Sequence, residues 1–129
     1  MGMNLDKLAW NADGLIPAIA QDFASGEVLM MAWMNREALQ ITLDQQVAVY
    51  YSRSRQALWR KGETSGQTQQ IHEIRTDCDR DTILLLVSQN GVACHTGRRT
   101  CFYRALDDQG EHTLTEPLID PAKLYGTKA

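Results

Sequence analysis

The chain has 129 residues, with 13 Lys and Arg against 16 Asp and Glu, a formal net charge of -3, and 43% hydrophobic residues. This composition is typical of a folded domain, and its mild acidity argues against nucleic-acid binding driven by overall charge. The longest apolar stretch, residues 28–34, is far shorter than the roughly 18 residues of a membrane helix, so we expect a cytoplasmic protein without a nucleic-acid or membrane partner.

The first half of the chain predicts a hairpin followed by a helix. Residues 16–22 and 27–33 are apolar runs typical of strands, and Ser25-Gly26 between them is a strong turn signal. Asn35 can cap a helix, and the spacing of the apolar residues after it predicts that this helix covers residues 36–45.

The middle of the chain contains two further predicted strands. Residues 47–52 alternate and are rich in branched and aromatic side chains, which predicts a strand. Residues 68–79 do not keep strict alternation, so no strand is predicted there. Residues 82–87 form a short apolar run of the buried-strand type, followed by a turn at Asn90-Gly91.

The last part of the chain has weaker signals. Residues 101–106 are a candidate strand, residues 107–110 a turn, and residues 121–125 a short helical segment. With no repeat or linker along the chain, we expect one compact domain over residues 1–129. The fold class is a β-rich α+β fold of mostly antiparallel strands with one or two short helices.

An acidic triplet surrounds one cysteine in the segment Asp77-Cys78-Asp79-Arg80-Asp81. In an extended chain the three aspartates would share one face, where carboxylate oxygens suit a hard cation such as Mg²⁺. The spacing resembles the start of an EF-hand loop, but Thr82 replaces the required glycine, which excludes that motif. Clustered aspartates are also typical of a solvated turn, so the triplet alone leaves both interpretations open.

The three cysteines, Cys78, Cys94 and Cys101, cannot all pair as disulfides within the chain. Three protein ligands are typical of a catalytic zinc site, which keeps its fourth position for water, whereas a structural site normally has four. His95 follows Cys94 and is a candidate general acid or base. The alternative is that the thiols are inert and buried.

The acidic chain nevertheless concentrates basic residues in two windows. They are Arg53, Arg55, Arg60 and Lys61 in one, and Arg98, Arg99 and Arg104 in the other. The loop from Lys61 to Gly66 has glycines and hydroxyls suited to binding phosphate, and Trp59 can stack on a base. Together these features favour a metal-assisted hydrolase acting on a phosphorylated molecule, with a purine nucleotide as one candidate.

Four segments resemble the phosphoribosyl-AMP cyclohydrolase family of histidine biosynthesis. They are residues 51–55, 58–66, 77–82 and 94–103, in the family's order. The resemblance implies hydrolytic opening of the adenine ring of 1-(5-phosphoribosyl)-AMP at the N1–C6 bond, which gives the formimino-carboxamide ribotide in the third step of L-histidine biosynthesis. Because no room remains for a fused pyrophosphatase domain, a monofunctional enzyme is expected.

The same resemblance implies the site residues and the assembly. Cys78, Cys94 and Cys101 would bind one Zn²⁺ per subunit, and Asp77, Asp79 and Asp81 would bind Mg²⁺. The family forms a homodimer with active sites at the subunit interface, and His95 is our first choice for proton transfer to N1. The predicted substrate and phosphate contacts are Arg53, Arg55, Trp59, Arg60, Lys61, Thr64, Ser65, Gly66, Arg98 and Arg99.

Two positions depart from the family's pattern, and two rival functions compete with it. Thr100 replaces a usual serine, and Gln67 stands where His or Asn is frequent, so we assign Gln67 no ligand role. One rival is a non-catalytic nucleotide- or RNA-binding module built around Trp59. The other is a zinc hydrolase acting on another purine nucleotide, such as a deaminase, although the deaminase signature is absent from the chain.

Overall fold

The computed structural model describes residues 5–124. Its strands are β1 (Leu15–Asp22), β2 (Val28–Asn35), β3 (Val49–Ser52), β4 (Ala57–Arg60), β5 (Gln69–Thr76), β6 (Ile83–Gln89), β7 (Arg104–Asp107) and β8 (Gly110–Thr113). The helices are a short 3-10 turn at Leu5–Lys7, α1 (Arg36–Gln45) and α2 (Pro121–Leu124). No helix in the described range is long and apolar enough to cross a membrane.

The first six strands form one curled sheet in the order β4-β3-β2-β1-β6-β5, and β7 and β8 form a separate hairpin. All neighbouring strands are antiparallel except β1 and β6, which are parallel. The predicted β-rich α+β class with mostly antiparallel strands is therefore confirmed.

The predicted hairpin and helix are both present. β1 and β2 pair antiparallel across the turn at Ser25-Gly26, where Gly26 has a φ of 81°. The helix α1 has the predicted limits, and the Asn35 side chain caps it by accepting a hydrogen bond from the Ala38 N–H at 2.8 Å. The helix packs its buried face, which includes Leu39, against the sheet.

The two faces of the sheet differ in burial. The inner face carries the buried core, with members such as Ile16, Ala18, Ala20, Met34, Tyr50, Ile83, Leu85 and Val87. On the outer face, Ile19 lies between Met31 of β2 and Leu84 of β6, and Pro17 lies opposite Trp33. This outer face is apolar but only partly covered.

Three strands differ from the sequence prediction because their signals are weak. β5 is a full strand, but a register shift between Ile71 and Glu73 breaks its alternation, which is why the pattern was not recognised. β4 and β8 have only four residues each. β8 contains only glycine and polar side chains, and β4, although apolar except for Arg60, is too short to show a strand pattern.

Three boundaries also differ. β3 begins at Val49 because Val47 forms an isolated bridge to Gln70 instead. β7 begins at Arg104, three residues later than predicted, and the Cys101 N–H donates to the Leu29 carbonyl near the start of β2 where the predicted strand would begin. The structure has a helix at Pro121–Leu124, and Tyr125, included in the predicted segment, lies outside the described residues.

The two ends of the sheet approach one another near the start of β3. The Ala48 N–H donates to the Gln69 carbonyl at 3.0 Å, and the Tyr50 hydroxyl donates to Gln69 Oε1 at 2.7 Å. Gln69 is completely buried and its Nε2 donates in turn to Gln89 Oε1 at 2.9 Å. Burial raises the pKa of Tyr50 far above its ordinary value, so its hydroxyl remains a donor.

Replacing Tyr50 by Phe tests this buried connection. The Tyr50→Phe variant leaves Gln69 Oε1 without the phenol donor, which should lower the free energy of unfolding by about 1–3 kcal/mol. The measurement is urea unfolding at a fixed protein concentration. Tyr51→Phe is the matched control, because the half-buried Tyr51 hydroxyl has no hydrogen bond among residues 5–124. Equal losses in the two variants would contradict the prediction.

Candidate active site

The acidic triplet lies in a tight loop between β5 and β6. The Arg80 N–H donates to the Asp77 carbonyl at 3.1 Å, and Arg80 has a left-handed φ of 61°. Asp77 Oδ1 accepts from the N–H groups of Asp81 at 3.0 Å and Thr82 at 3.2 Å. The extended conformation expected for this segment is therefore wrong, because these bonds require a turn.

The turn nevertheless brings the predicted carboxylates together. Oxygens of Asp77, Asp79 and Asp81 lie within 4.8 Å of one another, all exposed, and they are the one such group of metal-ligating residues found in the described range. Hydrogen bonding to Asp79, then to Asp77, raises the pKa of Asp81. Desolvation acts to raise the pKa of Asp77, but hydrogen bonds from Asp81 hold that pKa below its ordinary value. The three oxygens suit a hard cation.

Cys94 and Cys101 lie on an irregular loop, residues 93–101, which follows β6. The Cys94 N–H donates to the Arg98 carbonyl at 3.1 Å, and the Cys101 N–H donates to the Leu29 carbonyl at 2.7 Å. The Thr96 hydroxyl donates to Cys94 Sγ at 3.1 Å. This segment is called the cysteine loop below.

The two thiols of the cysteine loop interact. Burial of its thiol raises the pKa of Cys101 to about 12, and the nearby Cys94 adds to the shift, although Cys101 as a residue is exposed. Lys61 opposes the shift with its positive charge. Two neighbouring thiols beside a cation form a donor set that suits zinc, which binds cysteine in its thiolate form.

Cys78 does not join the other two cysteines within one chain. It lies in the acidic loop before β6, whereas Cys94 follows β6 at the opposite end. The seven residues of β6 span about 20 Å at the usual rise per residue, and within the described range the three cysteines do not form a cluster of metal-ligating atoms. His95 is exposed and has no hydrogen-bond or ion-pair partner within residues 5–124.

A pocket of about 400 Å³ lies beside the loop that follows β4. Its lining includes six predicted substrate contacts: Arg55, Trp59, Arg60, Lys61, Thr64 and Ser65. It also includes Ser52, Gly62 and Glu63, which the residue-level prediction missed although they lie within or beside the quoted motifs. The pocket thus combines cationic, hydroxyl and aromatic groups in one place.

The loop under this pocket has a compact backbone. Gly62 has a φ of 86°, and a Cβ there would lie 2.6 Å from the Gln67 carbonyl carbon, so a side chain does not fit. The Gly66 N–H donates to the Gly62 carbonyl at 2.7 Å. Gln67, for which the sequence predicts no ligand role, connects this loop to the next, because its Oε1 accepts from the Val92 N–H at 2.8 Å.

Four of the predicted basic contacts have partners within the chain. Lys61 is buried and donates from Nζ to the Ala93 carbonyl at 2.6 Å, and burial lowers its pKa. Arg53 stacks over Trp33 outside the pocket, and Arg98 lies 4.0 Å over the Tyr103 ring. Arg99 forms ion pairs with Asp22 and Glu27. Gly66 is not in the pocket lining. The predicted phosphate contacts are therefore spread over several surfaces of the chain.

Comparison with known proteins decides the family. The family model for phosphoribosyl-AMP cyclohydrolase matches residues 30–103. The chain belongs to the phosphoribosyl-AMP cyclohydrolase family. Proteins of that name from Alkalilimnicola ehrlichii and Stutzerimonas stutzeri are 63% and 59% identical over 94% of this chain, covering 85% and 93% of their own lengths. A third, from Granulibacter bethesdensis, is 61% identical over 95% of this chain and covers 96% of its own length.

The family match covers the whole candidate site. It extends from β2 to Tyr103, which includes the pocket, the acidic loop and the cysteine loop. The β7–β8 hairpin and α2 lie beyond the match. The family resemblance inferred from the motifs is confirmed.

Proposed function

We propose that the chain hydrolyses the N1–C6 bond of 1-(5-phosphoribosyl)-AMP to give the formimino-carboxamide ribotide, the third step of L-histidine biosynthesis, in the cytoplasm. The observation that carries this proposal is the family match over residues 30–103. In the reaction the oxygen of water bonds to C6, the C6–N1 bond breaks, and N1 receives a proton. The site must therefore bind an anionic nucleotide and supply a proton.

The pocket beside β4 is the proposed nucleotide site. Arg55 and Arg60 carry charge for a phosphate group, and Thr64 and Ser65 add hydroxyl donors. Trp59, half-buried at the same pocket, offers a face on which the adenine can stack. Because Lys61 is buried and donates to the Ala93 carbonyl, it acts on the cysteine loop rather than on a phosphate.

Two metal ions complete the proposed site. Asp77, Asp79 and Asp81 would hold Mg²⁺, since their oxygens are already clustered. Cys78, Cys94 and Cys101 would hold one Zn²⁺ per subunit, and zinc bound by three protein ligands supplies Lewis acidity towards a water molecule. The neighbouring thiols of Cys94 and Cys101 support this assignment.

A homodimer is proposed because one chain does not bring Cys78 to the other cysteines. Each site would take Cys78 from one subunit and Cys94 with Cys101 from the other. Exposed apolar side chains support association, among them Met31 at 45% exposure on the outer sheet face and Leu106 at 79% on the β7–β8 hairpin. An isolated two-stranded hairpin is marginally stable in water, so contact with a second subunit would stabilise it.

His95 is proposed to move the proton to N1. It follows Cys94, is exposed, and has no partner within residues 5–124 that would occupy its ring nitrogens. An imidazole can both take up and release a proton near neutral pH. The exposed position leaves His95 free to face a nucleotide bound between two subunits.

Ring opening tests the proposed function directly. The protein loaded with Zn²⁺ and Mg²⁺ should convert phosphoribosyl-AMP to the ring-opened product, followed by ultraviolet absorbance and by mass. The product gains the mass of one water molecule, and no ammonia is released. Release of ammonia would favour a deaminase, and absence of any change would favour a non-catalytic nucleotide-binding module.

Replacing His95 separates proton transfer from metal binding. His95→Ala should lower kcat by about 100-fold or more, in the range expected for loss of a general acid or base. Zinc content, measured by elemental analysis, should stay at the wild-type value. His72→Ala is a suitable control, because His72 lies on β5 and pairs with Ser88. Near-normal turnover of His95→Ala would remove His95 from the mechanism.

Mixed dimers test whether two subunits share a site. Cys78→Ala and Cys94→Ala should each be inactive alone. When they are co-expressed with different affinity tags and purified as the mixed dimer, one of the two sites regains all three cysteines. That dimer should show about half of wild-type turnover, because two-fold symmetry gives two equivalent sites. An inactive mixed dimer would contradict the shared site, and a wild-type mass of one chain in solution would contradict the dimer.

A further inference from the structure

Arg99 lies in the cysteine loop between Cys94 and Cys101, but its side chain reaches the turn between β1 and β2. Arg99 Nη2 lies 3.0 Å from Asp22 Oδ1, and Arg99 Nε donates to Glu27 Oε1 at 3.0 Å. Arg99 Nη1 donates to the Gly91 carbonyl at 3.2 Å. All three guanidinium nitrogens therefore have an acceptor within the chain, and three of the five N–H donors are engaged.

The carboxylates that bind Arg99 are themselves fixed. The side chain of Asp22 is 10% exposed, and its Oδ2 accepts from the Ser25 N–H at 2.8 Å. Hydrogen bonds from Ser25, together with the charge of Arg99, hold the pKa of Asp22 below its ordinary value although desolvation opposes the shift. The guanidinium thus binds an ionised, mostly buried carboxylate at a defined position, and Glu27 provides a second acceptor beside it.

The backbone around Arg99 determines the position of both cysteines. The Arg99 carbonyl accepts from the N–H of Ala93, the residue before Cys94, at 3.0 Å. Next to it, the Thr100 hydroxyl donates to the Val28 carbonyl at 2.7 Å, immediately before Cys101. The loop contains no regular strand or helix. Arg99 is therefore the residue whose side chain connects this irregular segment to charged groups of β1 and the turn.

We propose that Arg99 is a positioning residue, which fixes the cysteine loop on the β1–β2 turn and thereby sets the geometry of Cys94 and Cys101 for their metal. This assignment replaces the phosphate contact predicted for Arg99, and it rests on the proposed function because it requires a metal at the cysteines. Arg99 does not touch the substrate in this role. Its removal should act first on metal affinity.

Zinc affinity is the decisive measurement, made by competition with a chromophoric chelator. Arg99→Gln should weaken zinc binding by about 10- to 100-fold, the usual effect of losing a group that orients metal ligands. Arg99→Lys keeps the charge but lacks the planar fork that reaches both carboxylates, so an intermediate loss is expected. Glu27→Gln, a milder change at a partly exposed side chain, should weaken binding several-fold.

A double-mutant cycle and a control variant test whether the effect on zinc affinity comes from the Arg99–Glu27 pair. Glu27→Gln should have no further effect on zinc affinity in the Arg99→Gln background, because the two side chains act as a pair. Arg36→Gln is the control. Arg36 lies at the start of α1 and is paired with Asp6, so its replacement should leave zinc affinity unchanged. An equal loss in Arg36→Gln would overturn the proposal.

The outcomes distinguish this inference from the proposed function. If the wild-type protein binds zinc and Arg99→Gln binds it equally well, while KM for phosphoribosyl-AMP rises, Arg99 is a phosphate contact and the inference is overturned. Loss of folding stability in the metal-free Arg99→Gln protein with unchanged zinc affinity also overturns it. If the wild-type protein binds no zinc, the proposed metal site itself fails, and the inference fails with it.

Discussion

The buried amide of Gln69 is the interaction on which the rest of the structure depends. Its Oε1 accepts from Tyr50 of β3 and its Nε2 donates to Gln89 of β6, so one side chain on β5 connects both halves of the sheet. A buried amide without hydrogen-bond partners costs about 1–3 kcal/mol. This cost favours the curvature of the sheet that brings Tyr50 and Gln89 within hydrogen-bonding distance of Gln69. The Gln89 amide then donates to the carbonyls of Thr68 and Val92. Thr68 follows the loop from Lys61 to Gly66, and Val92 precedes the cysteine loop.

Both loops of the candidate site are irregular, and side chains rather than strand pairing determine their positions. Lys61 donates to the Ala93 carbonyl at one end of the cysteine loop, and Arg99 binds Asp22 and Glu27 at the other. Two of the predicted phosphate contacts are thus engaged within the chain. The cationic surface left for a nucleotide is smaller than the basic windows of the sequence indicated, and the pocket provides it chiefly through Arg55 and Arg60.

The features that could be predicted from sequence are those with local signals. The limits of α1 followed from the Asn35 cap, and the β1–β2 hairpin followed from its turn, because both depend on neighbouring residues. β5 could not be predicted, since its bulge disrupts the alternation. The roles of Lys61 and Arg99 were hidden for another reason. Their acceptors lie 32 and 72 residues away, at Ala93 and Glu27, and only the fold shows that these groups meet.

In the proposed homodimer, the direction of β6 accounts for a metal site that is shared between two copies of the chain. Cys78 precedes this strand and Cys94 follows it, so the two cysteines lie in loops at opposite ends of a strand that is itself about 20 Å long. A two-fold axis across such a strand places the start of one copy near the end of the other. The same axis would bring the acidic loop of one subunit to the cysteine loop of its partner, so that folding of the sheet, dimer formation and assembly of both metal sites become consequences of one geometry.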